Sequence, residues 1–350
     1  MIVLGIETSC DETAAAVVTE KNGKIKVLSN IVSSQIKIHQ KYGGVVPEVA
    51  AREHILKIIP VIDKALKKAK IITGTKLNPK IISHKLNAIA VTVGPGLISS
   101  LLVGTETAKT LSYVWEIPLV AVHHIEGHIY ANFLNPRNIV YPIVALTVSG
   151  GHTMLIFIKK EGEFEIIGET RDDAAGEAFD KAAQLLGLGY PGGPIISREA
   201  QKYSNGSLPT LPRPMINSND FDFSFSGLKT ALRYAIEKDK NYKKNIPAYC
   251  YEVEQAIIDT LITKTIKAAK IKKANTIMLA GGVSANRKLR KQLKQILKKK
   301  LPNVNLILPN LKYTTDNAAM IAIAGLWRAR KGKFIPWQKL KANPNLSIIN

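Results

Sequence analysis

A strand, a polar turn and a second strand occur in the same order at two places in this chain. The first copy starts at residue 2 and reads IVLGIE, TSCDET and AAAVV, and the second starts at residue 141 and reads YPIVALTVSGGHTMLIFI. Each copy is followed by a third strand, at about residues 25–33 and at FEIIGET, and then by a helix. The duplication predicts an α/β chain of two similar lobes with a cleft between them.

The remaining segments alternate between apolar strands and helices with apolar residues at helical spacing. In the first half we predict a helix from Pro47 to about Lys70, the strand NAIAVTV, the helix ISSLLVGTETAKTLSYV and the strand PLVAV. In the second half we predict helices from Asp173, from about Cys250 to Lys270, from Ser284 and from Asp316, and strands TIMLA and NLILP. The predicted lobes span 1–135 and 136–330, with a basic tail at 331–350. The sequence leaves open whether the last helix, from about residue 316, packs back on the first lobe.

The composition excludes several classes of protein. Hydrophobic residues make up 46% of the chain, but no apolar run approaches the roughly 18–20 residues that cross a bilayer, so we expect no membrane contact. The N-terminus lacks the basic and sustained apolar segments of a signal peptide. Two cysteines, Cys10 and Cys250, are too few for a disulfide framework or a cysteine-type zinc site, and they predict a cytoplasmic location.

The charge favours a polyanionic partner such as nucleic acid, because 49 basic residues oppose 27 acidic ones and the formal net charge is +22. A lysine-rich composition that reflects an AT-rich genome is the alternative explanation. Basic residues cluster at 264–273 and 286–300, where aromatic residues are sparse. This pattern is more typical of contact with the phosphates of a folded RNA than of sequence-specific single-strand binding.

Three glycine- or serine-rich turns follow predicted strands. ETSCDET at 7–13 and VSGGHT at 148–153 occupy equivalent places in the two copies, and LAGGVSANR at 279–287 places Ser284 at a predicted helix N-cap. Backbone N–H groups in such turns can bind phosphate oxygens, and the third turn could support a nucleoside. Alone, each is more often an ordinary turn, but the matched pair is similar to that of the actin, sugar-kinase and chaperone-ATPase superfamily.

The stretch VHHIEGHI at 122–129 predicts a metal site. His124 and His128 are four residues apart, so on a helix they share one face, about 6 Å apart along the axis. Glu126 lies roughly 200° around the helix from His124, which argues against a zinc protease, where a glutamate must reach the metal-bound water. Asp316 is a candidate third ligand. Taken alone, it is more typical of a first-turn residue favoured by the helix dipole, but Thr314 and Thr315 could cap that turn and leave its carboxylate free.

A carboxylate on a later helix is a candidate ribose ligand. Asp180 lies in DDAAGEAFDKAAQLLGL, shortly before a glycine-rich loop, and acidic residues bind ribose hydroxyls in other nucleotide sites. Taken without further context, a solvated helix face remains the more common explanation of such a residue.

In this order, the motifs resemble those of one family, the universal tRNA threonylcarbamoyladenosine transferases, formerly called glycoprotein endopeptidases. The matching segments are GIETSCDET, HQKYGGVVPEVAAREH, VTVGPGLISSLLVG, HHIEGH, VSGGHT, GEAFDKAAQLLGLGYPGGP, FSFSGLKTA, AGGVSANRKLR and TDNAAMIA. They cover almost the whole chain, and GPGLISSLLVG is similar to the bacterial and organellar branch.

The resemblance implies a duplicated actin-like (ribonuclease H-like) fold with an interlobe active-site cleft, and a metal-dependent acyltransferase. The implied reaction moves L-threonylcarbamoyl from threonylcarbamoyl-AMP to N6 of the adenosine beside the anticodon, in tRNAs that read codons beginning with A. The matching positions are His124, His128 and Asp316 for the metal; Thr147, Val148, Ser149, Gly150 and Gly151 for the substrate loop; Asp180, Gly193 and Asn286 for the nucleoside; and Asp11 and Glu12 for activity. Because an exocyclic adenine amine is a poor nucleophile, we further predict that Glu12 or Asp11 is a general base.

The chain departs from the family at two places. An acidic residue often stands four positions after Gly193, where this chain has Ser197. We therefore keep Ser197 as a substrate-binding residue with a weaker or water-mediated ribose contact. The segment IITGTKLNPKIISHKLN, at 71–87, is also longer than the family pattern leads us to expect.

The resemblance also implies a cofactor and partners. The cofactor is one divalent metal ion per chain, with iron preferred and zinc as the alternative. The partners are tRNA, threonylcarbamoyl-AMP, a shorter paralogous subunit, a small P-loop ATPase and an upstream synthase that makes the adenylate. The helix at 47–70 is the predicted contact with the paralogue.

Three other functions remain open from the sequence. An ATP-dependent small-molecule kinase of the same fold would hold its metal through nucleotide phosphates and would not need two histidines and an aspartate. A metal-dependent protease is disfavoured by the position of Glu126. A non-catalytic scaffold is disfavoured by the complete set of candidate ligands and turns.

Overall fold

The computed structural model describes residues 1–73, 78–134 and 139–348. The chain divides into two compact units, one made of Met1–Arg137 and Thr315–Ile348 and the other of Asn138–Thr314. We call them unit 1 and unit 2. The predicted lobe boundary between residues 135 and 136 lies outside the described residues, as does the 74–77 part of the long segment at 71–87.

Unit 1 contains one five-stranded sheet. Its strands are β1 (Ile2–Glu7), β2 (Glu12–Lys21), β3 (Lys24–Ser34), β4 (Ala88–Gly94) and β5 (Leu119–His123), and its helices are α1 (Ile36–His39), α2 (Pro47–Lys68), α3 (Pro79–Ser83), α4 (Ile98–Trp115), α5 (His124–Tyr130) and α11 (Ala318–Arg330). The strand order is β3-β2-β1-β4-β5. The pairs β1–β2 and β2–β3 are antiparallel, whereas β1–β4 and β4–β5 are parallel.

Unit 2 repeats this topology. Its strands are β6 (Ile143–Val148), β7 (Thr153–Ile158), β8 (Phe164–Glu169), β9 (Thr276–Ala280) and β10 (Asn305–Ile307), and its helices are α6 (Ala175–Leu185), α7 (Gly192–Ala200), α8 (Ser226–Lys238), α9 (Ile246–Ile271) and α10 (Arg287–Lys300). The order β8-β7-β6-β9-β10 again places the first strand of the unit between its second and fourth. The pairing directions also match those of unit 1, so the predicted duplication is confirmed.

The central strands are largely apolar, as expected for strands that are buried on both faces. Every residue of β4 and of β6 is buried. In unit 1, α11 packs closely on β1 and β4: a Cβ at Gly5 would lie 2.5 Å from the carbonyl oxygen of Ala318, and a Cβ at Gly325 would collide with Ala90. This close packing holds the residues that precede α11 against the sheet of unit 1.

Several helices begin at residues other than those predicted. Asn286, not Ser284, is the N-cap of α10, because its side chain accepts a hydrogen bond from the N–H of Leu289. Asn317, not Thr314 or Thr315, is the N-cap of α11 and accepts from Met320. Asparagine binds the exposed N–H groups of a first turn as well as serine does, so the two residue types compete for this position. α9 begins at Ile246, four residues before the predicted start, with a proline in its first turn.

Within the described ranges, no helix combines the length and the apolar character needed to cross a membrane.

Candidate metal centre and substrate-binding residues

The two histidines lie on α5, which starts directly where β5 ends. The side chain of His123 caps this helix by accepting a hydrogen bond of 3.1 Å from the N–H of Ile125. His124 and His128 therefore share one face, with ring centroids 4.7 Å apart and ring planes nearly perpendicular. Both side chains are buried.

Asp316 completes a triad with the two histidines. Its Oδ1 lies 3.6 Å from Nε2 of His124 and 3.2 Å from Nε2 of His128. One potential ligand atom from each of the three side chains lies within 4.8 Å of the others. Two residues before α11, Asp316 is outside the helix, and its carboxylate is not used as the cap. All three side chains belong to unit 1, and together they could hold a metal ion.

Glu7 orients the first of these histidines and was not among the residues predicted from the sequence. Nδ1 of His124 lies 3.3 Å from Oε2 of Glu7 and 3.1 Å from Oγ of Ser9. Glu7 also accepts hydrogen bonds from the N–H of Ser9 and the hydroxyl of Thr92. A carboxylate at Nδ1 leaves Nε2 directed at Asp316, as metal-binding histidines require. The signal available in the sequence was a glutamate at the end of a wholly apolar strand.

The pKa values of the two histidines reflect the negative charges of Asp316 and Glu7 and the burial of the site, which suit a bound cation. Burial alone would lower the pKa of His124, but the charges of Asp316 and Glu7 raise it to about 9. Burial lowers the pKa of His128. Both ring nitrogens of His128 are buried: Nε2 faces the carboxylate of Asp316 at 3.2 Å, and Nδ1 has no hydrogen-bond partner among the described residues. Buried polar atoms of this kind need a partner, and two imidazoles with one carboxylate suit iron or zinc.

Asp11 directly precedes β2 and Glu12 is the first residue of that strand, and both side chains are buried. Burial, followed by the hydrogen bond and charge of Asp11, raises the pKa of Glu12 to about 10. Oε1 of Glu12 also accepts a hydrogen bond of 3.0 Å from the hydroxyl of Ser34. At neutral pH the metal-free protein therefore holds a proton on Glu12.

Glu126 does not face the triad. Both of its carboxylate oxygens accept hydrogen bonds from the guanidinium of Arg328 on α11, at 2.5–3.0 Å. The direction predicted for this side chain is thus confirmed, and the glutamate that a zinc protease would require at its metal is engaged elsewhere.

In unit 2 the predicted substrate loop forms the hairpin between β6 and β7. Thr147 and Val148 are buried at the end of β6, whereas Gly150 and Gly151 are exposed. The hairpin is closed by a hydrogen bond of 2.8 Å from the N–H of Ser149 to the carbonyl oxygen of His152. No other atom lies within 4 Å of a Cβ built on either Gly150 or Gly151. The loop therefore presents an open stretch of backbone.

Two other glycines lie directly against the backbone of this loop. A Cβ at Gly176 would lie 2.5 Å from the carbonyl oxygen of Ser149, and one at Gly281 would collide with the backbone of Val148. Gly281 also has a φ of 84°, which favours glycine. Its neighbour Gly282 has neither restriction, so only the first glycine of this turn is required by the fold.

The remaining predicted substrate-binding residues form two pairs in unit 2. Oδ1 of Asp180 accepts a hydrogen bond of 2.7 Å from the N–H of Gly192, beside Gly193 at the start of α7. Asp180 is half-buried, so it is not simply part of a solvated face. The amide Nδ2 of Asn286 donates to the hydroxyl of Ser197 at 3.0 Å.

Comparison with known proteins identifies the family. The sequence model of the tRNA N6-adenosine threonylcarbamoyltransferases matches residues 26–323. The chain belongs to this family. A family member from Geobacillus kaustophilus is 48% identical over 349 residues, covering 99% of this chain and 97% of its own length. Another, from Thermosipho melanesiensis, is 51% identical over 326 residues, covering 93% and 94%. The resemblance seen in the motifs is confirmed.

The fold of this member of the threonylcarbamoyltransferase family is confirmed by solved structures that are similar to it. HypF from T. kodakarensis superimposes with a TM-score of 0.61 at 12% identity, covering 95% of this chain and 48% of HypF. Component A of (R)-2-hydroxyglutaryl-CoA dehydratase from Acidaminococcus fermentans gives 0.50 at 14% identity, covering 94% and 99%. At these identities the likeness concerns the fold alone, and it supports the predicted actin-like α/β fold.

Proposed function

We propose that this chain transfers the L-threonylcarbamoyl group from threonylcarbamoyl-AMP to N6 of the adenosine beside the anticodon, in tRNAs that read codons beginning with A. AMP is the second product. The observation that carries this proposal is the triad of His124, His128 and Asp316, with Glu7 behind it, in a chain that is 48% identical to a named transferase over nearly its whole length.

The proposed cofactor is one divalent metal ion per chain, held by this triad. A nitrogen-rich set with one carboxylate suits both iron and zinc, and iron is our preferred assignment. When bound, the ion would supply Lewis-acid polarisation and a template for the threonylcarbamoyl group. The kinase alternative does not explain why two buried histidines and an aspartate converge.

Residues of unit 1 would carry out the proton transfer of this reaction. The adenosine amine attacks the carbamoyl carbon, the bond from that carbon to the phosphate oxygen breaks, and the amine loses a proton as AMP departs. An exocyclic adenine amine is a weak nucleophile, so a general base assists. Because Glu12 already holds a proton at neutral pH, we assign the base to Asp11 and the role of hydrogen-bond donor to Glu12.

The residues of unit 2 would bind the adenylate. The open backbone at Gly150 and Gly151 suits the close approach of a phosphate or carboxylate, and the other members of the loop are Thr147, Val148 and Ser149. Asp180, Gly193, Ser197 and Asn286 are the proposed nucleoside contacts. The supporting observation is that the structure pairs Asp180 with the start of α7 and Ser197 with Asn286.

The proposed macromolecular partners follow from this reaction and from the surface of unit 1. tRNA is the acceptor substrate, and the cytoplasm is the proposed location.

On α2, Ile55, Leu56 and Ile59 are 64%, 63% and 46% exposed, and an apolar stripe of this kind marks a protein contact. We assign it to the shorter paralogous subunit, with the P-loop ATPase and the adenylate synthase as further partners. Leu56→Glu should abolish co-purification with the paralogue without lowering Tm, whereas unchanged co-purification would reject this surface.

A transfer assay tests the proposed reaction. Metal-loaded protein, with and without the partner proteins, is incubated with labelled threonylcarbamoyl-AMP and an unmodified tRNA that reads an A-starting codon. We expect label in the tRNA with wild type and with His84→Ala, a matched change at an exposed histidine, but not with His124→Ala. Phosphorylation of a small metabolite, with no labelled tRNA under any partner condition, would favour the kinase instead.

A further inference from the structure

A buried carboxylate in unit 2 lies behind two of the proposed nucleoside contacts. Oε1 of Glu254, on α9, accepts a hydrogen bond of 2.6 Å from the hydroxyl of Ser197 on α7. The same oxygen accepts one of 2.7 Å from Nδ2 of Asn286, the N-cap of α10. Glu254 is only 4% exposed, so it reaches solvent, or a ligand, mainly through these two side chains.

The directions of the hydrogen bonds in this cluster can be assigned. Oδ1 of Asn286 must accept from the N–H of Leu289, so Nδ2 faces the cluster. One hydrogen of Nδ2 points into this cluster and is shared between Oε1 of Glu254 and Oγ of Ser197. The single hydrogen of Ser197 goes to Glu254. With one lone pair taken by Asn286, Oγ of Ser197 keeps one lone pair and has no hydrogen left to donate.

The charge of Glu254 is compensated from its other side. Nζ of Lys288 lies 3.6 Å from Oε2 of Glu254 and 3.6 Å from the ring centroid of Tyr251. Among the described residues this buried ammonium forms no hydrogen bond. The lysine lies on the side of Oε2, so Oε1 remains the acceptor for Ser197 and Asn286.

We infer that Glu254 is a positioning residue that makes Ser197 a pure hydrogen-bond acceptor for one ribose hydroxyl of the adenylate. That hydroxyl can donate to the remaining lone pair, whereas a sugar that lacks it cannot. Glu254 thus supplies, through Ser197, the selectivity that a carboxylate at position 197 would supply directly. This inference rests on the proposed function, because it takes unit 2 as the adenylate-binding unit.

The test measures the preference for ribose by calorimetry with AMP, 2′-deoxy-AMP and 3′-deoxy-AMP. Wild type should bind AMP about tenfold more tightly than one of the two deoxy analogues, the usual value of one such hydrogen bond. Ser197→Ala and Glu254→Met should reduce this preference to about twofold or less, while the affinity for that deoxy analogue changes little. If a substitution only damaged the structure of the site, the affinities for all three nucleotides would fall by the same factor.

The matched control is Glu199→Met, because Glu199 lies on α7 two residues from Ser197 but pairs with Lys202 instead of this cluster. It should retain the tenfold preference. Should Glu254→Met not fold, Glu254→Gln is the second variant: its amide cannot serve Ser197, Asn286 and Lys288 together, so the preference should fall about threefold.

The inference is overturned if soluble Glu254 variants keep the preference of wild type, or if wild type itself binds the three nucleotides equally. Neither result affects the proposed reaction. If the protein labels tRNA in the transfer assay but shows no measurable AMP binding, the inference about Glu254 is rejected and the proposed function stands. Absence of both AMP binding and transfer would reject the proposed function together with it.

Discussion

Glu7 and His124 are 117 residues apart in the chain, yet Oε2 of the glutamate lies 3.3 Å from Nδ1 of the histidine in the interior of unit 1. Burial alone would raise the pKa of Glu7, but the charge and the hydrogen bond of His124 lower it. When a bound metal takes the proton from Nε2 of His124, the ionised carboxylate would keep the other proton on Nδ1, so that Nε2 is the nitrogen directed toward Asp316.

Replacing Glu7 by glutamine should weaken metal binding about 10- to 100-fold, the usual effect of losing a carboxylate behind a metal-binding histidine. The amide keeps the size of the side chain but loses the charge that orients the imidazole. Competition with a chelator measures the affinity. Glu20→Gln, a change at a glutamate that pairs with Arg330 on the surface, should leave it unchanged. Equal affinities for wild type and Glu7→Gln would show that Glu7 does not act on the metal.

Metal binding should strengthen with pH between about 7 and 9. The pKa of His124 is raised to about 9 in the metal-free protein, so a bound metal must displace a proton below that pH. We expect up to about a tenfold gain in affinity per pH unit in this window, levelling off above it. Calorimetry in buffers of different ionisation enthalpy measures the released proton. Binding without proton release at pH 7.5 would contradict the charged state of His124.

Replacing Glu12 by glutamine should stabilise the metal-free protein at neutral pH. The pKa of Glu12 is about 10 when folded, against 4.5 as its ordinary value. Between these values only the unfolded chain ionises at this position, which favours unfolding progressively as the pH rises. The variant lacks this penalty, so its free energy of unfolding should exceed that of wild type by at least about 1 kcal/mol at pH 7.

The same comparison at pH 4 serves as the internal check on Glu12, because the advantage of the variant should nearly disappear there. Denaturant unfolding at the two pH values measures it. Glu106→Gln, at an exposed glutamate paired with Lys109, should change stability by less than about 0.5 kcal/mol at either pH. A Glu12→Gln protein that is less stable than wild type at pH 7 would rule out a protonated Glu12.

Two adjacent glycines should respond differently to alanine. Gly281→Ala forces a Cβ against the backbone of Val148 at a φ of 84°, so we expect a loss of about 1–3 kcal/mol in the free energy of unfolding and weaker AMP binding. Gly282→Ala meets open space and should fold with nearly wild-type stability. Denaturant unfolding and AMP titration of both variants distinguish them, and equal stabilities would contradict the close approach at Gly281.

The helix starts illustrate where sequence reasoning was limited. Serine, threonine, asparagine and aspartate all favour the N-cap position, so the sequence alone did not distinguish Ser284 from Asn286 or Thr315 from Asn317. In both cases the structure uses the asparagine. The consequence for function is specific: Asn286 uses Oδ1 for the cap and Nδ2 for Glu254 and Ser197, and Asp316 keeps its carboxylate for the triad.

What the sequence by itself determined is local. Apolar periodicity and turn residues predicted both copies of the strand–turn–strand unit, and the four-residue spacing of His124 and His128 placed them on one helix face. These properties depend on neighbouring residues only. The tertiary structure alone decided that Glu7 and Asp316 join the histidines, and that Glu254 reaches Ser197. Those contacts link distant parts of the chain. Glu7 lies beside His124 because β1, β4 and β5 are neighbours in one sheet, Asp316 joins them because α11 packs on that sheet, and Glu254 reaches Ser197 because α9 packs against α7.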